Sequence, residues 1–285
     1  LSADGGELSV KGRFNPREQS YDAAIRADSF PLNSFLPADS LGIVDLALQA
    51  RGTGFDPLLP RTRTSLRAQI GRAEFGGRDF GGIELDAELD SQRLSGRISD
   101  RDEALRLLLS VSGTLTEREQ RIGLSGSVFG FDLAALGVSP EPIGGSFALD
   151  ASASAAGKGA YAARIALDSI EIRNKHRTDR IRPTSVSLHT DSAATRAEAA
   201  SGDLSLTFST PQSADSLIAA LTRSARTLAG QIDAQSIDME QLKPALPDFA
   251  LRVSAGPDNI LNSLLKSRKI AFDALNAEGA NCDSL

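Results

Sequence analysis

Few residues in this chain are equipped for chemistry. His176 and His189 are its two histidines, and Cys282 is its one cysteine. A zinc site draws three or four His, Cys or carboxylate ligands from short, recurrent spacings. No HExxH, no cysteine pair and no spaced histidine cluster occurs. His189 falls on the polar alternation of Val186-Ser-Leu-His-Thr, and His176 lies in a charged turn. Cys282 has no histidine nearby to act as its base, and a lone cysteine makes no internal disulfide. Gly123-Leu-Ser125-Gly126 resembles a nucleophile elbow only in part, because its second glycine comes one position early and no helix follows. Gly52-Thr-Gly54 lacks the third glycine and the helix of a dinucleotide fingerprint, and no phosphate loop is present. No acid, base and nucleophile assemble, so the chain reads as a non-enzyme with no cofactor and no metal.

Two charged constellations remain. Glu84, Asp86, Glu88 and Asp90 line up on one face of a strand. They can be read as a calcium site, but a calcium loop needs a glycine-assisted turn that converges its ligands, so a solvated strand face explains them better. Arg173, Lys175, Arg177, Arg180 and Arg182 sit between Ile170/Ile172 and Val186/Leu188. A polar hairpin loop accounts for this cluster. The sharper alternative is a contact for an anionic lipid headgroup or a partner surface, since clustered arginine suits phosphate.

The elements that must carry these residues are strands. In Ile83–Asp90, Ile83, Leu85, Ala87 and Leu89 share one face, opposite the four carboxylates, which is the pattern of a half-buried strand. The same alternation runs through Tyr21–Ala27, Val44–Ala50, Leu105–Leu115, Ile122–Val128, Phe147–Leu149 and Leu204–Phe208. Short turn signals separate the runs: Asn15-Pro16, Gly76-Gly77, Gly81-Gly82, Ser91-Gln92 and Gly157-Lys158-Gly159. Such short gaps predict antiparallel hairpins and meanders. Two segments depart from this period. Ser213–Leu228 places Leu217, Ile218, Leu221, Ala225 and Leu228 at helical spacing behind a Ser213 cap, and Pro257–Lys266 carries a second apolar stripe.

Composition narrows the function classes. The formal charge is −6, with 31 basic against 37 acidic residues, so a nucleic-acid partner is not expected. Aromatic residues make up 5% and tryptophan is absent, which leaves few rings for stacking an aromatic or sugar ligand. The chain starts at Leu1, already close to an alternating run, and carries neither a signal peptide nor a run of about 18 apolar residues. It reads as a piece of a longer protein.

One pattern recurs at a spacing of about a hundred residues. Its copies begin at Phe30, Phe131 and Ile237, each a short Leu/Ala/Pro stretch followed by an alternating strand that fades into Ala and Gly. The approximate repeats are 1–115, 116–209 and 210–285, within one continuous repeat region over 1–285, with helical insertions near 213–228 and 257–266. Stacked repeats with one-sided apolar strands form an apolar trough whose length grows with their number. Such a trough suits an alkyl chain, which needs length and aliphatic lining with few polar anchors. The candidate lining is Leu46, Leu48, Ile83, Leu85, Leu107, Leu109, Val111, Ile122 and Leu124. A structural or adhesin-like stalk with a closed core and no ligand is the alternative.

Phe30-Pro-Leu-Asn-Ser-Phe-Leu-Pro, followed by Val-Asp-Leu-Ala-Leu-Gln-Ala-Arg-Gly-Thr-Gly, resembles the repeating unit of TamB and its AsmA-like relatives. Asp258-Asn259-Ile-Leu-Asn-Ser-Leu-Leu-Lys-Ser-Arg-Lys is similar to segments of the long TamB-type proteins of Bacteroidetes. The resemblance spans most of the chain and implies an all-β, elongated, curled antiparallel sheet forming a taco-like groove. It also implies a periplasmic bridge in a Gram-negative envelope that carries phospholipid acyl chains and supports outer-membrane assembly. Its inner-membrane anchor at an N-terminal segment and its contact with an outer-membrane barrel partner would both lie outside this chain.

Overall fold

The computed structural model describes residues 2–3, 5–34, 41–75, 78–157, 159–175, 177–233, 246–266 and 272–281. The fold is all-β and antiparallel, as the period-two alternation predicts, with two α-helices among the described residues. Backbone contacts divide it into two compact units. The first comprises Leu1–Ser152 and Ser169–Arg180, the second Ala153–Asp168 and Ile181–Leu285. Strands β11 (Gly144–Ala156) and β12 (Ala160–Arg173) contribute to both.

The first unit is a meander. Its strands are β1 (Ser2–Ala3), β2 (Gly6–Asn15), β3 (Ser20–Pro31), β4 (Leu41–Thr53), β5 (Arg63–Phe75), β6 (Arg78–Phe80), β7 (Ile83–Asp90), β8 (Arg93–Arg101), β9 (Leu105–Leu115) and β10 (Glu119–Asp132). Each pairs antiparallel with its chain neighbour. Short β6 covers only one end of β5, and β7 pairs with the rest. The β7–β8 hairpin turns on Ser91 and Gln92, both left-handed at φ 52 and 74. Two consecutive positive φ values give the turn whose twist matches the flanking strands. The Ser91 hydroxyl donates to the Asp90 carboxylate at 2.9 Å.

Register shifts between Ala27 and Phe30, Leu41 and Val44, and Asp45 and Leu46 gather three bulges at one end of β3 and β4. Ser29 takes φ 47 there, and its N–H donates to Asp45 Oδ1. The extra residue re-aims the strand so that Phe30 turns inward. Phe30 is 2% exposed and packs with Ala27 and Val44 in a small closed core, against which Leu8, Leu32, Leu46 and Ala73 pack.

The chain turns briefly just after Phe30 and just after Phe131. Leu32–Ser34 is a 3-10 turn. After Phe131, Asp132 Oδ1 accepts from the Ala134 and Ala135 amides, and Leu136 N donates back to Asp132 O. The start of the third copy, at Ile237, lies outside the described residues, and its alternating strand is Phe249–Ala255.

In the second unit, Tyr161–Leu167 of β12 pairs with β14 (Thr184–Thr190). β15 (Thr195–Ser201), β16 (Leu204–Thr210), β17 (Phe249–Ala255) and β18 (Leu275–Asn281) follow in chain order. Helix α1 (Ala214–Asp233) starts where expected. Ser216 N lies 3.4 Å from the Ser213 hydroxyl, Ala214 N donates to Thr190 Oγ1, and Leu217, Ala220 and Ser224 form the buried side. Helix α2 (Ile260–Lys266) is capped by Asn259, whose Oδ1 accepts from Asn262 N at 2.8 Å. Asn262 is 1% exposed; it donates to Pro257 O and Phe272 O and accepts from Phe272 N, tying α2 to the chain leading into β18.

Candidate functional site: an apolar sheet face

Side chains directly opposite in an antiparallel ladder point to the same face, so register shows which residues share a surface. In the first unit Ile25, Leu48, Ala68, Leu85, Ile98 and Leu109 stand opposite one another in turn from β3 to β9. A parallel row runs through Ala50, Leu66, Ala87, Gly96, Val111 and Leu124. Leu46 faces Ile70, which faces Ile83; Leu107 faces Val128; Gly113 faces Ile122. All nine lining candidates therefore fall on one face of one sheet.

That face is sheltered without being sealed. Leu109 is 7% exposed and Ile122 44%, while Leu46, Leu48, Ile83, Leu85, Leu107, Val111 and Leu124 are half-buried. No described helix of this unit covers them; among its described residues the helical element is the turn at Leu32–Ser34. One end of the face closes on the Phe30 core. At the other end Phe55 stacks on Tyr21 with ring centroids 5.4 Å apart and tilts against Phe14 at 5.6 Å. Tyr21 lies across Gly52, where a Cβ would stand 2.7 Å from its oxygen, and that oxygen is 2.7 Å from Thr64 Oγ1. Phe14 and Phe55 are 60% and 61% exposed and form an aromatic lip.

One carboxylate interrupts the face. Asp100 lies opposite Leu107 and is 6% exposed. It accepts from Asp102 N at 2.9 Å and fixes the β8–β9 turn. Burial pushes its carboxyl above the ordinary value, with repulsion from Asp102 adding to the effect and backbone hydrogen bonds opposing it.

The reverse face is polar. Arg51 pairs with Asp22 at 3.0 Å, and Arg63 and Arg67 pair with Asp90 and Asp86 at 2.7 Å, each with the residue near or directly opposite on the next strand. The Arg63 hydrogen bond holds Asp90 below its usual range. The acidic stripe of β7 is thus a solvated strand face, with Asp86 and Asp90 bonded to arginines and Glu84 accepting from the Ser99 hydroxyl at 3.5 Å. Among the described residues no three metal-binding side chains converge. One open depression, at the Phe14 end of the sheet, is lined both by Arg13, Asp22, Arg51 and Arg63 of the polar face and by Phe14, Tyr21 and Leu89 of the apolar one.

The basic cluster is organised differently from the expected loop. Only Asn174–Arg177 turns, with the Asn174 side chain accepting from Arg177 N; Thr178–Ile181 is strand β13. The asparagine makes the turn locally, so the flanking residues remain free to extend. Arg173, Lys175, Arg177 and Arg180 belong to the first unit and Arg182 to the second. Three are already bonded: Arg173 to Glu171, Arg177 to Asp179 and Arg182 to Asp258. His189 is exposed on β14, and His176 and Cys282 lie outside the described residues.

Sequence reading passed over Leu66, Ala68 and Ile70 of β5 and Leu94 and Ile98 of β8, which complete the face. Their alternation was available, but arginines and small residues dilute it. No protein family, no curated protein and no solved structure matches the chain. Among the described residues no helix is long and apolar enough to cross a membrane, which leaves membrane crossing by strands unaddressed.

Proposed function

We propose that the apolar face of the first unit shelters aliphatic chains, and that the protein is a segment of a TamB/AsmA-like envelope bridge conducting phospholipid acyl chains across the periplasm. The observation that carries this reading is the register: aliphatic side chains of seven strands, from β3 to β10 with β6 left aside, form one face that is only half-buried. Monomeric soluble proteins rarely leave so continuous an apolar surface without a use. Each methylene laid on such a surface contributes about 0.8 kcal/mol when it leaves water. The headgroup would stay in water at the open side, so the site asks for no specific polar anchor.

The closed-stalk alternative draws on the Phe30 core and on the buried row positions Ala68, Leu89 and Leu109. A photoreactive fatty acid separates the two. Labelling should fall on the peptides carrying Leu85, Leu107 and Val111, and Leu107→Asp should reduce it several-fold. Leu108→Asp, on the opposite face and 41% exposed, should leave it unchanged. No labelling, together with no phospholipid retained in native mass spectrometry, would favour the stalk.

A further inference from the structure

The polar face of the first unit carries a like-charge pair. Arg101 of β8 and Arg106 of β9 stand directly opposite each other in the ladder. Like charges so placed destabilise a sheet. Elsewhere on this face arginines meet carboxylates, as Arg51 meets Asp22, Arg63 meets Asp90 and Arg67 meets Asp86. Arg101 and Arg106 have no ion pair among the described residues. Glycines flank them on both sides. Gly130 of β10 is the register partner of Arg106, and Gly82 runs beside Arg101, where a Cβ would stand 3.6 Å from the Arg101 nitrogen. At Gly130 a Cβ would stand 3.1 Å from Arg106 Nη2, so this glycine leaves the space in which the guanidinium lies.

Apolar surface gathers at the same place. The register shift between Val128 and Gly130 makes Phe129 an extra residue in β10. Bulges of this kind re-aim a side chain. Phe129 is 56% exposed and Leu108 41%. These two and the two arginines line one open groove of about 530 Å³. Arg97, further along it, faces Asp86 across the ladder, so its charge is matched. β8, β9 and β10 each have a strand on both sides, so the groove lies over the middle of the sheet and no end of the chain bounds it.

Two neighbouring guanidiniums call for an anion that can answer both. Each presents a planar fork of donors, and a phosphate monoester brings nearly two charges and three acceptor oxygens. A carboxylate fills one fork and leaves the second cation uncompensated. The exposed Phe129 ring, with Leu108 beside the same groove, suits an aromatic group in offset stacking. Glu84 and Asp86 at the far end limit how much negative charge the groove accepts.

We infer that this groove binds a phosphate monoester of a small aromatic compound, with the phosphate between Arg101 and Arg106 and the ring on Phe129. Binding removes the repulsion that the empty ladder carries. The groove lies on the polar side of the sheet, so its occupancy is independent of what the aliphatic side shelters.

The test titrates phenyl phosphate, inorganic phosphate and benzoate into the full chain at low salt, followed by calorimetry. Phenyl phosphate should bind saturably, one to one, about fivefold more tightly than inorganic phosphate, the worth of one stacked ring. Benzoate should bind more weakly than phenyl phosphate. The Arg101→Gln/Arg106→Gln variant should lose at least about tenfold in affinity for phenyl phosphate. Phe129→Ala should bring phenyl phosphate down to the level of inorganic phosphate and leave inorganic phosphate unchanged. All three side chains are exposed, and circular dichroism checks that the variants fold. Without ligand, Arg106→Gln should melt at a higher temperature than the parent, because it removes the opposed charges. Phenyl phosphate should raise the melting temperature of the parent and not that of the double variant. Absence of saturable binding, benzoate binding as tightly as phenyl phosphate, equal affinity in the double variant, no effect of Phe129→Ala, or Arg106→Gln melting at or below the parent would each overturn the proposal.

Discussion

Leu85→Ala and Phe30→Ala should differ sharply in cost, and the ratio tests whether the apolar face is open. Phe30 is 2% exposed inside a closed cluster, so its truncation leaves a cavity and should cost about 3–5 kcal/mol. Leu85 is half-buried, and its neighbours in register are Ala68 and Ile98. Truncating it removes three carbons. At about 0.8 kcal/mol per methylene, and with roughly half of that surface already in water, the loss is about 1.2 kcal/mol, because no enclosed void forms. Both residues belong to the first unit, so one transition reports both. The chain has no tryptophan and two tyrosines, so Tyr161→Phe leaves Tyr21, in the first unit, as its fluorophore. Urea unfolding of the two variants in that background gives the costs from midpoint shifts at constant slope. A Leu85→Ala cost of 3 kcal/mol or more would refute the open-face reasoning, since such a value requires packing on both sides of the side chain.

Asp100→Asn keeps the oxygen that accepts from Asp102 N and removes the buried charge. The folded carboxyl titrates above its unfolded value of 3.8, so its favourable contribution is complete below that pH and is lost as pH rises through the folded value. The variant should therefore be more stable than the parent at pH 7, with the gap closing toward pH 4, as followed by thermal melts across that range. Asn262→Ala strands Pro257 O, Phe272 O and Phe272 N and should cost about 2–3 kcal/mol, with faster amide exchange at Phe272 as its signature. Gly126→Ala should cost more than about 1 kcal/mol in the same urea assay, because Gly126 holds φ +151 and an added Cβ would collide with Leu108 O.

What was legible in the sequence was whatever depends on a residue and its chain neighbours. Alternation in Ile83–Asp90 needs only that stretch, and so does the Ser213 start of α1. Ser91-Gln92 reads as a turn because the strands on either side stop there. The Phe30 core was not legible, because the alternation of Tyr21, Ala23, Ile25 and Ala27 would send Ser29 inward. The bulge at Ser29 reverses that, and bulges are set by the opposing strand. Asp100 was equally hidden, since a carboxylate at a strand end looks solvated until register places it beside Leu107. The apolar set was legible residue by residue, but its continuity from β3 to β10 is a property of six pairings at once.

The meander also sets how the chain can reach its folded state. Within each unit nearly every pairing joins segments a few tens of residues apart, so no hairpin waits for a distant stretch of polypeptide. The entropy of closing each loop stays small, and rate falls mainly when distant segments must meet first. A hairpin formed early becomes the template for the next strand. Such a chain can be zipped up in the order in which it is made or delivered, from one end, without holding a long unpaired stretch in reserve.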